Sequence, residues 1–266
     1  MSLSDRVATY IREAAVAEIV PRFRALAPAD IREKKPGDFV TIADLETERV
    51  LSSRLQAALP GSAVLGEEAA AQDPSRFALL SQDAPVWVID PLDGTANFTR
   101  GQPGFAVIVA RVEHGAVEAG WIYDPLGDVM VTAERGGGAW SGGRRLAVAS
   151  DERVAATTGA AYGRTVRGLR AAAALSASGR IGTVRNLGCS ALEYVEIALG
   201  HAHFSLHSRS LPWDHAAGML ITAEAGGVAG FLDGTGYRPQ LLDRAVLAGA
   251  SRPIWDTVRD VVGALA

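Results

Sequence analysis

The chain has 266 residues, 48% of them hydrophobic and 21% charged, with a formal net charge of −4. That length and balance support a sizeable core in one large domain or two closely packed subdomains, and a mildly acidic chain with no basic run argues against a nucleic-acid surface. A single cysteine, Cys189, excludes an intramolecular disulfide and fits a reducing compartment, while no leader-like start and no apolar run long enough to span a bilayer is present, so a cytoplasmic protein with no membrane partner is expected.

Residues 3–27 carry apolar side chains at near-helical spacing, with Pro21 placed to kink or interrupt the helix. Residues 31–38 are charged and contain Pro36-Gly37, which reads as a loop or hairpin. Thr41 caps a second helix from about Ala43 to Leu59, stopped by Pro60-Gly61. Ala63 to Gly66 is a short strand ending at Glu67-Glu68, and Asp73 to Ser81 a short helix with Pro74 in its first turn. An apolar run, Val86 to Ile89, reads as a buried strand ending at Asp90. Phe105 to Val112 and Ala116 to Tyr123 are strands joined at His114-Gly115, and Val129 to Ala133 and Gly138 to Ser141 continue the meander. Gly136-Gly137-Gly138 is a turn and lacks the spacing of a nucleotide loop.

From about Val154 the pattern alternates. Strands are expected at 155–160, 182–185, 202–206, 228–231 and 245–248, and helices at 166–178, 190–199, 214–225 and 253–265. The boundary near residue 150 has no linker, so residues 1–150 and 151–266 are expected as two packed subdomains, an N-terminal α+β part and a C-terminal α/β part. The fold class is α/β.

Four acidic sites fall at element ends: Asp44 at a helix start, Glu67 after a strand, Asp90 and Asp93 after another, and Asp214 at the head of a later helix. Singly, each reads as a cap or a solvated acid. Asp90-Pro91-Leu92-Asp93-Gly94-Thr95 is different, because two acids flank a proline and then feed a Gly-Thr helix start. Carboxylates bind hard divalent cations, and the open N–H groups of a helix start bind phosphate. Both at one strand end suggest metal-assisted phosphate chemistry. No loop of the kind that cradles a nucleotide triphosphate is present.

Four blocks in order resemble the inositol monophosphatase family of magnesium-dependent phosphatases. They are Asp38-Phe39-Val40-Thr41 with Asp44; Gly66-Glu67-Glu68; Trp87-Val88-Ile89-Asp90-Pro91-Leu92-Asp93-Gly94-Thr95-Ala96-Asn97-Phe98; and Trp213-Asp214-His215-Ala216-Ala217-Gly218 followed by Glu224-Ala225-Gly226-Gly227. The resemblance covers nearly the whole chain and implies a layered sandwich in which helical and sheet layers alternate.

The resemblance also implies roles. One Mg²⁺ is held by Glu67, Asp90 and the Leu92 carbonyl, a second by Asp90, Asp93 and Asp214, and a third, weaker ion leans on Glu67. Phosphate rests on the N–H groups of Gly94 and Thr95. Asp44, Glu67 and Thr95 are the catalytic group, with Thr95 and Glu67 orienting a water and Asp44 bonded to Thr95. Gly188, Cys189, Ser190, His207 and Asp214 are expected on the substrate side. A lysine near the first block, Lys34 or Lys35, assists a metal-bound water. Lithium inhibition and a homodimer are implied as well.

The chain departs from the family pattern on the substrate side. In inositol-specific members a glutamate stands where this chain has His207, and Gly188-Cys189-Ser190 replaces a Gly-Thr-Ala stretch. A small phosphorylated metabolite is expected, with histidinol phosphate or fructose 1,6-bisphosphate as alternatives to inositol monophosphate. Ala96-Asn97 argues against the nucleotide-phosphatase branch. Some relatives also partner the transcription machinery, a role expected to bring lost ligands or a basic face, and this sequence has neither. His201, His203 and His207 fall at even spacing on a predicted strand and could share a face, but strand-neighbour histidines without further ligands read as surface or pocket residues rather than a zinc site. Cys189 precedes a helix, where a thiol pKa can fall; the plainer reading is a small residue lining a pocket. Trp87, Trp121 and Trp213 read as packing residues.

Overall fold

Strand β4, Val86–Asp93, is apolar on both faces because both faces are covered. Trp87 and Ile89 enter one core, with Ile11, Leu51 and Leu55 of α1 (Leu3–Ala14) and α2 (Ile42–Ala58). Val86 and Val88 enter the core on the opposite face. The computed structural model describes residues 1–149, 158–162 and 166–263. The expected subdomain boundary near residue 150, and residues 155–157 of the strand expected at 155–160, lie outside them.

Two sheets organise the chain. The first has seven strands in spatial order β3 (Ala63–Gly66), β4, β5 (Ala106–Glu113), β6 (Ala116–Asp124), β7 (Val129–Glu134), β8 (Gly138–Ser141) and β9 (Arg144–Arg145). β3 and β4 run parallel and every other pair is antiparallel. His114 and Gly115 both take positive φ, the geometry of the tight turn whose twist suits a hairpin. The second sheet has five strands in the order β11 (Thr183–Arg185), β10 (Thr158–Tyr162), β12 (Phe204–His207), β14 (Val246–Gly249) and β13 (Val228–Phe231).

Five layers result. Helices α1 and α2 cover the outer face of the seven-stranded sheet, and α6 (Ser190–Ala198) and α7 (Pro212–Glu224) lie between the sheets. Helices α5 (Val166–Ala177) and α8 (Arg252–Gly263) cover the five-stranded sheet. The middle core joins both halves of the chain, with Ile108, Ile122 and Val131 packed with Ala217, Leu220, Ile221 and Phe231. There β6 and α7 approach so closely that a Cβ on Gly120 would sit 2.8 Å from Ala217 Cα. Among the described residues no helix is long and apolar enough to cross a membrane.

Several expected elements shift. The first helix ends at Ala14 and widens into a π-turn, Ala15–Ile19, before a 3₁₀ turn, Val20–Arg22. Pro21 lacks the N–H a regular helix needs there. The charged 31–38 segment is a hairpin, β1 (Ile31–Lys35) against β2 (Asp38–Thr41). Glu67-Glu68 opens a short helix, α3 (Glu67–Gln72), and Pro74–Ser81 is 3₁₀. The strand holding the histidines starts only at Phe204, so His201 and His203 precede it and do not share its register with His207.

Candidate active site

The carboxylates gather because of two local irregularities in the first sheet. β3 and β4 are parallel neighbours with Gly66 opposite Ile89, so the residues that follow, Glu67 and Asp90, leave the sheet side by side. In a regular strand Asp90 and Asp93, three apart, would point to opposite faces. Between them, however, β4 takes three steps while β5 takes two, from Ile108 to Ala106. That bulge at Pro91-Leu92 absorbs one residue and turns both acids to one side, and the proline has no N–H to lose from the ladder.

Gly94 follows with φ 90°, and a Cβ there would stand 2.5 Å from the Gly104 carbonyl, so only glycine makes this turn. Helix α4 (Thr95–Thr99) starts at once. From the second half, β12 ends at His207 and α7 begins at Pro212, which brings Asp214 into the first turn facing the same point. Asn97 links the halves by donating to the carbonyls of Gly104 and Leu187 at 2.8 and 3.0 Å.

A cleft of about 460 Å³ opens here. Its floor holds Glu67, Asp90, Leu92, Asp93, Gly94, Thr95 and Asp214. One wall is the β1–β2 turn with Lys35 and Asp38; the other carries Gly188, Cys189, Ser190, His207 and Arg209. Every expected metal, catalytic and substrate-side residue lines this cleft except Asp44, which lies behind Thr95 and is 2% exposed; of the two candidate lysines, Lys35 lines it and Lys34 does not.

Asp44 belongs to a capping box: Thr41 N–H and Oγ1 donate to its Oδ2 at 2.8 and 2.5 Å. Its other oxygen accepts from Thr95 Oγ1 at 3.1 Å, as expected. Thr95 Oγ1 also stands 2.9 Å from the Leu92 carbonyl, so one hydroxyl proton faces two acceptors. Burial pushes Asp44 up to about 7 despite the hydrogen bonds that favour its anion.

The other acids share this frustration. Burial, then the charges of Glu67, Asp93 and Asp214, push Asp90 well above the usual carboxylate range. Burial, then the charges of Asp93 and Glu67, push Asp214 up as well. Burial also raises Asp93, although it accepts three hydrogen bonds. Four carboxylates converging with so little positive charge form an oxygen-only donor set that suits a hard divalent cation, and the Leu92 carbonyl lies beside them. Among the described residues no three acidic, histidine or cysteine side chains stand in the geometry of metal ligands. Glu67 instead pairs with Lys34.

The two lysines near the first block part here. Lys34 Nζ lies 2.8 Å from both Glu67 Oε1 and Glu68 Oε1, while Lys35 is exposed at the cleft rim. Burial opposes the Lys34 ammonium, but Glu67 and Glu68 outweigh it and hold the pKa above its ordinary value. Burial, then Glu67, raises Glu68. Glu48, not anticipated from sequence, accepts the N–H groups of Glu68 and Ala69 at 2.9 and 3.0 Å and so fixes the start of α3.

The substrate side also holds a network that sequence reasoning missed. His207 is 3% exposed, and its Nε2 lies 3.1 Å from Glu193 Oε2 and 2.6 Å from Ser205 Oγ. Ser205 donates to Glu193 at 2.7 Å. His215 packs 4.7 Å from the His207 ring centre, and its Nδ1 shares a 2.9 Å hydrogen bond with the Tyr194 hydroxyl. Burial holds His215 well below its usual pKa, so it is neutral. Glu193 lies in the first turn of α6 and gave no motif signal. His201, by contrast, is exposed and pairs with Glu196, so the three histidines do not form one site. Cys189 is not an activated thiol: burial and then the Asp93 charge push its pKa up. Trp87 and Trp121 pack together at 5.9 Å, and Trp213 stacks on Phe77 at 5.5 Å.

The family model of the inositol monophosphatase family matches residues 4–261. An inositol-1-monophosphatase of Mesorhizobium japonicum is 37% identical over 206 residues, 76% of this chain and 75% of that protein. A fructose-1,6-bisphosphatase/inositol-1-monophosphatase of Thermotoga maritima is 33% identical over 201 residues, 74% of this chain and 73% of that protein. A solved Thermotoga maritima IMPase superposes with a TM-score of 0.85 at 26% identity, covering 100% of this chain and 98% of that one. The bulged Asp90–Asp93 turn, the acids drawn to it from both halves and these likenesses agree: the chain belongs to the inositol monophosphatase family, a family of phosphoric monoester hydrolases.

Proposed function

We propose that the protein is a Mg²⁺-dependent phosphomonoesterase acting on a small phosphate ester. The observation that carries this is the meeting of Glu67, Asp90, Asp93 and Asp214 in the cleft that also holds the Asp44–Thr95 pair and the start of α4. Glu67, Asp90 and the Leu92 carbonyl would hold one ion, and Asp90, Asp93 and Asp214 a second. Bound there, Mg²⁺ supplies charge for the phosphoryl oxygens and acidifies an attacking water.

The chain's own groups do the rest. The N–H groups at the start of α4, Gly94 and Thr95, face the phosphate and carry the positive end of the helix turn. Thr95 Oγ1 gives its proton towards Asp44 and turns its lone pairs to the attacking water, so that Asp44 stores the proton through Thr95. An acid whose pKa lies near neutrality suits that exchange. Glu67 orients the water from the other side once Lys34 releases it. Trp213 and Leu211 close the floor against bulk solvent.

The leaving alcohol lies against the wall of His207 and Arg209. His207, paired with Glu193, stands where the inositol-specific pattern has a glutamate, and Arg209 brings a guanidinium to the same wall. Histidinol phosphate and fructose 1,6-bisphosphate stand beside inositol monophosphate as candidate esters. A phosphate-release screen over these three, with Mg²⁺ and with EDTA, tests the reading. At least one ester should be hydrolysed with Mg²⁺ and none with EDTA; release that persists under EDTA contradicts it.

A further inference from the structure

Cys189 and Ser190 line the cleft, yet their polar atoms turn away from any ester. Three donors converge on one oxygen of Asp93: Ala191 N–H at 2.7 Å, Ser190 Oγ at 2.9 Å and Cys189 Sγ at 3.4 Å from Oδ2. None of the three addresses Oδ1. We propose that the 189–191 turn is a clamp for the metal ligands, and that Ser190 is a positioning residue of the ion site rather than a substrate contact. The proposal rests on the metal reading given under Proposed function.

A carboxylate held by one oxygen has its plane fixed, and its second oxygen is left to a cation. Ala191 N–H belongs to the first turn of α6, whose positive end favours the Asp93 anion. Ser190 Oγ is also 2.9 Å from the Asp214 backbone carbonyl. One hydroxyl has one proton, so it is shared between two acceptors, one at the end of β4 and one in the first turn of α7. Ser190 therefore stands between the two acids that the second ion must join, one from each half of the chain. Asn97 holds the turn itself through the Leu187 carbonyl. Cys189 is 2% exposed, with its Sγ also 3.6 Å from the Asp93 carbonyl, which leaves its thiol directed at Asp93 and not at the cleft.

The test is calorimetric titration of the full-length protein with Mg²⁺ in the absence of substrate, for wild type, Ser190→Ala, Ser190→Thr and Cys189→Ala, with KM measured separately at saturating Mg²⁺. Ser190→Ala should bind Mg²⁺ about tenfold more weakly, the loss usual when a group supporting a metal ligand is removed. Its KM at saturating Mg²⁺ should stay at the wild-type value, and Ser190→Thr should restore the affinity. Cys189→Ala, which removes the weakest of the three donors, should weaken Mg²⁺ in the same direction by less, and it carries the test if Ser190→Ala fails to fold. Wild-type Mg²⁺ affinity in both alanine variants, or a raised KM with unchanged Mg²⁺ affinity, overturns the clamp alone. A wild-type protein that binds no Mg²⁺ overturns the metal reading beneath it.

Discussion

Asp90→Asn lowers kcat by about a thousandfold, roughly 4 kcal/mol of lost transition-state stabilisation, while the protein still folds. In the proposed reading Asp90 is the acid that both ion sites share, and it is 2% exposed, so no solvent-borne group can replace it. The substitution keeps the shape. Its side-chain oxygen can still accept the Leu92 N–H, which bonds Asp90 Oδ1 at 3.0 Å. It also removes one charge from a crowd of acids that the fold holds above their ordinary pKa. Activity and stability should therefore move in opposite directions, with phosphate release collapsing and the Tm of the metal-free protein unchanged or raised. Steady-state kinetics at saturating Mg²⁺ and thermal unfolding measured by circular dichroism check both. Near-normal turnover would show that the two ion sites do not meet at Asp90.

The second large effect is on stability against pH. Burial raises Asp44 to about 7, raises Asp93, and holds Asp90 and Asp214 well above the carboxylate range. Above pH 4 the unfolded chain releases these protons while the folded, metal-free chain keeps them, so the folded state binds more protons and loses stability as pH rises. Each such carboxyl costs about 1.4 kcal/mol per pH unit until its folded pKa is passed. Lys34 does not oppose this, because a raised lysine contributes fully at every pH below its unfolded value. His215 does oppose it, but only below about pH 6.5, where the unfolded imidazole takes a proton that the buried ring refuses. Between about pH 6.5 and 8.5 the acids act without that opposition, so the Tm of the metal-free protein should be lower at the higher pH. Saturating Mg²⁺ should cancel most of that slope, because ligand carboxylates are ionised at both pH values and binding favours the folded state. A flat metal-free Tm across this range would mean that the acids are not confined together.

Much of this site is legible in the chain before any coordinates. Asp90-Pro91-Leu92-Asp93-Gly94-Thr95 declares itself by composition: acids three apart, a proline that cannot join a ladder and a glycine that must turn. The helix cap at Thr41 follows from its place before the second helix, and the strands that end at Gly66 and Asp90 follow from apolar runs between turn residues. What the sequence does not show is pairing. That β3 lies parallel to β4 is a long-range choice, and only this choice sets Glu67 beside Asp90. The bulge is a mismatch in step between β4 and β5, invisible in either strand alone.

Side-chain direction is the other gap. Lys34 and Lys35 are neighbours in sequence, and only the pleat of β1 turns Lys34 onto Glu67 and Lys35 out to the rim. Cys189 and Ser190 are expected on the substrate side by resemblance, but their donors face the Asp93 carboxylate. Glu193 carries no motif, since a buried acid on an apolar helix gains meaning only from the histidine across from it.

The most direct test of the central claim is anomalous scattering from crystals of this protein grown with Mn²⁺ in place of Mg²⁺. The account predicts two strong peaks that share Asp90, one also reached by Glu67 and the Leu92 carbonyl, the other by Asp93 and Asp214. Peaks elsewhere, or an empty cleft in a protein that still releases phosphate with Mn²⁺, would contradict it.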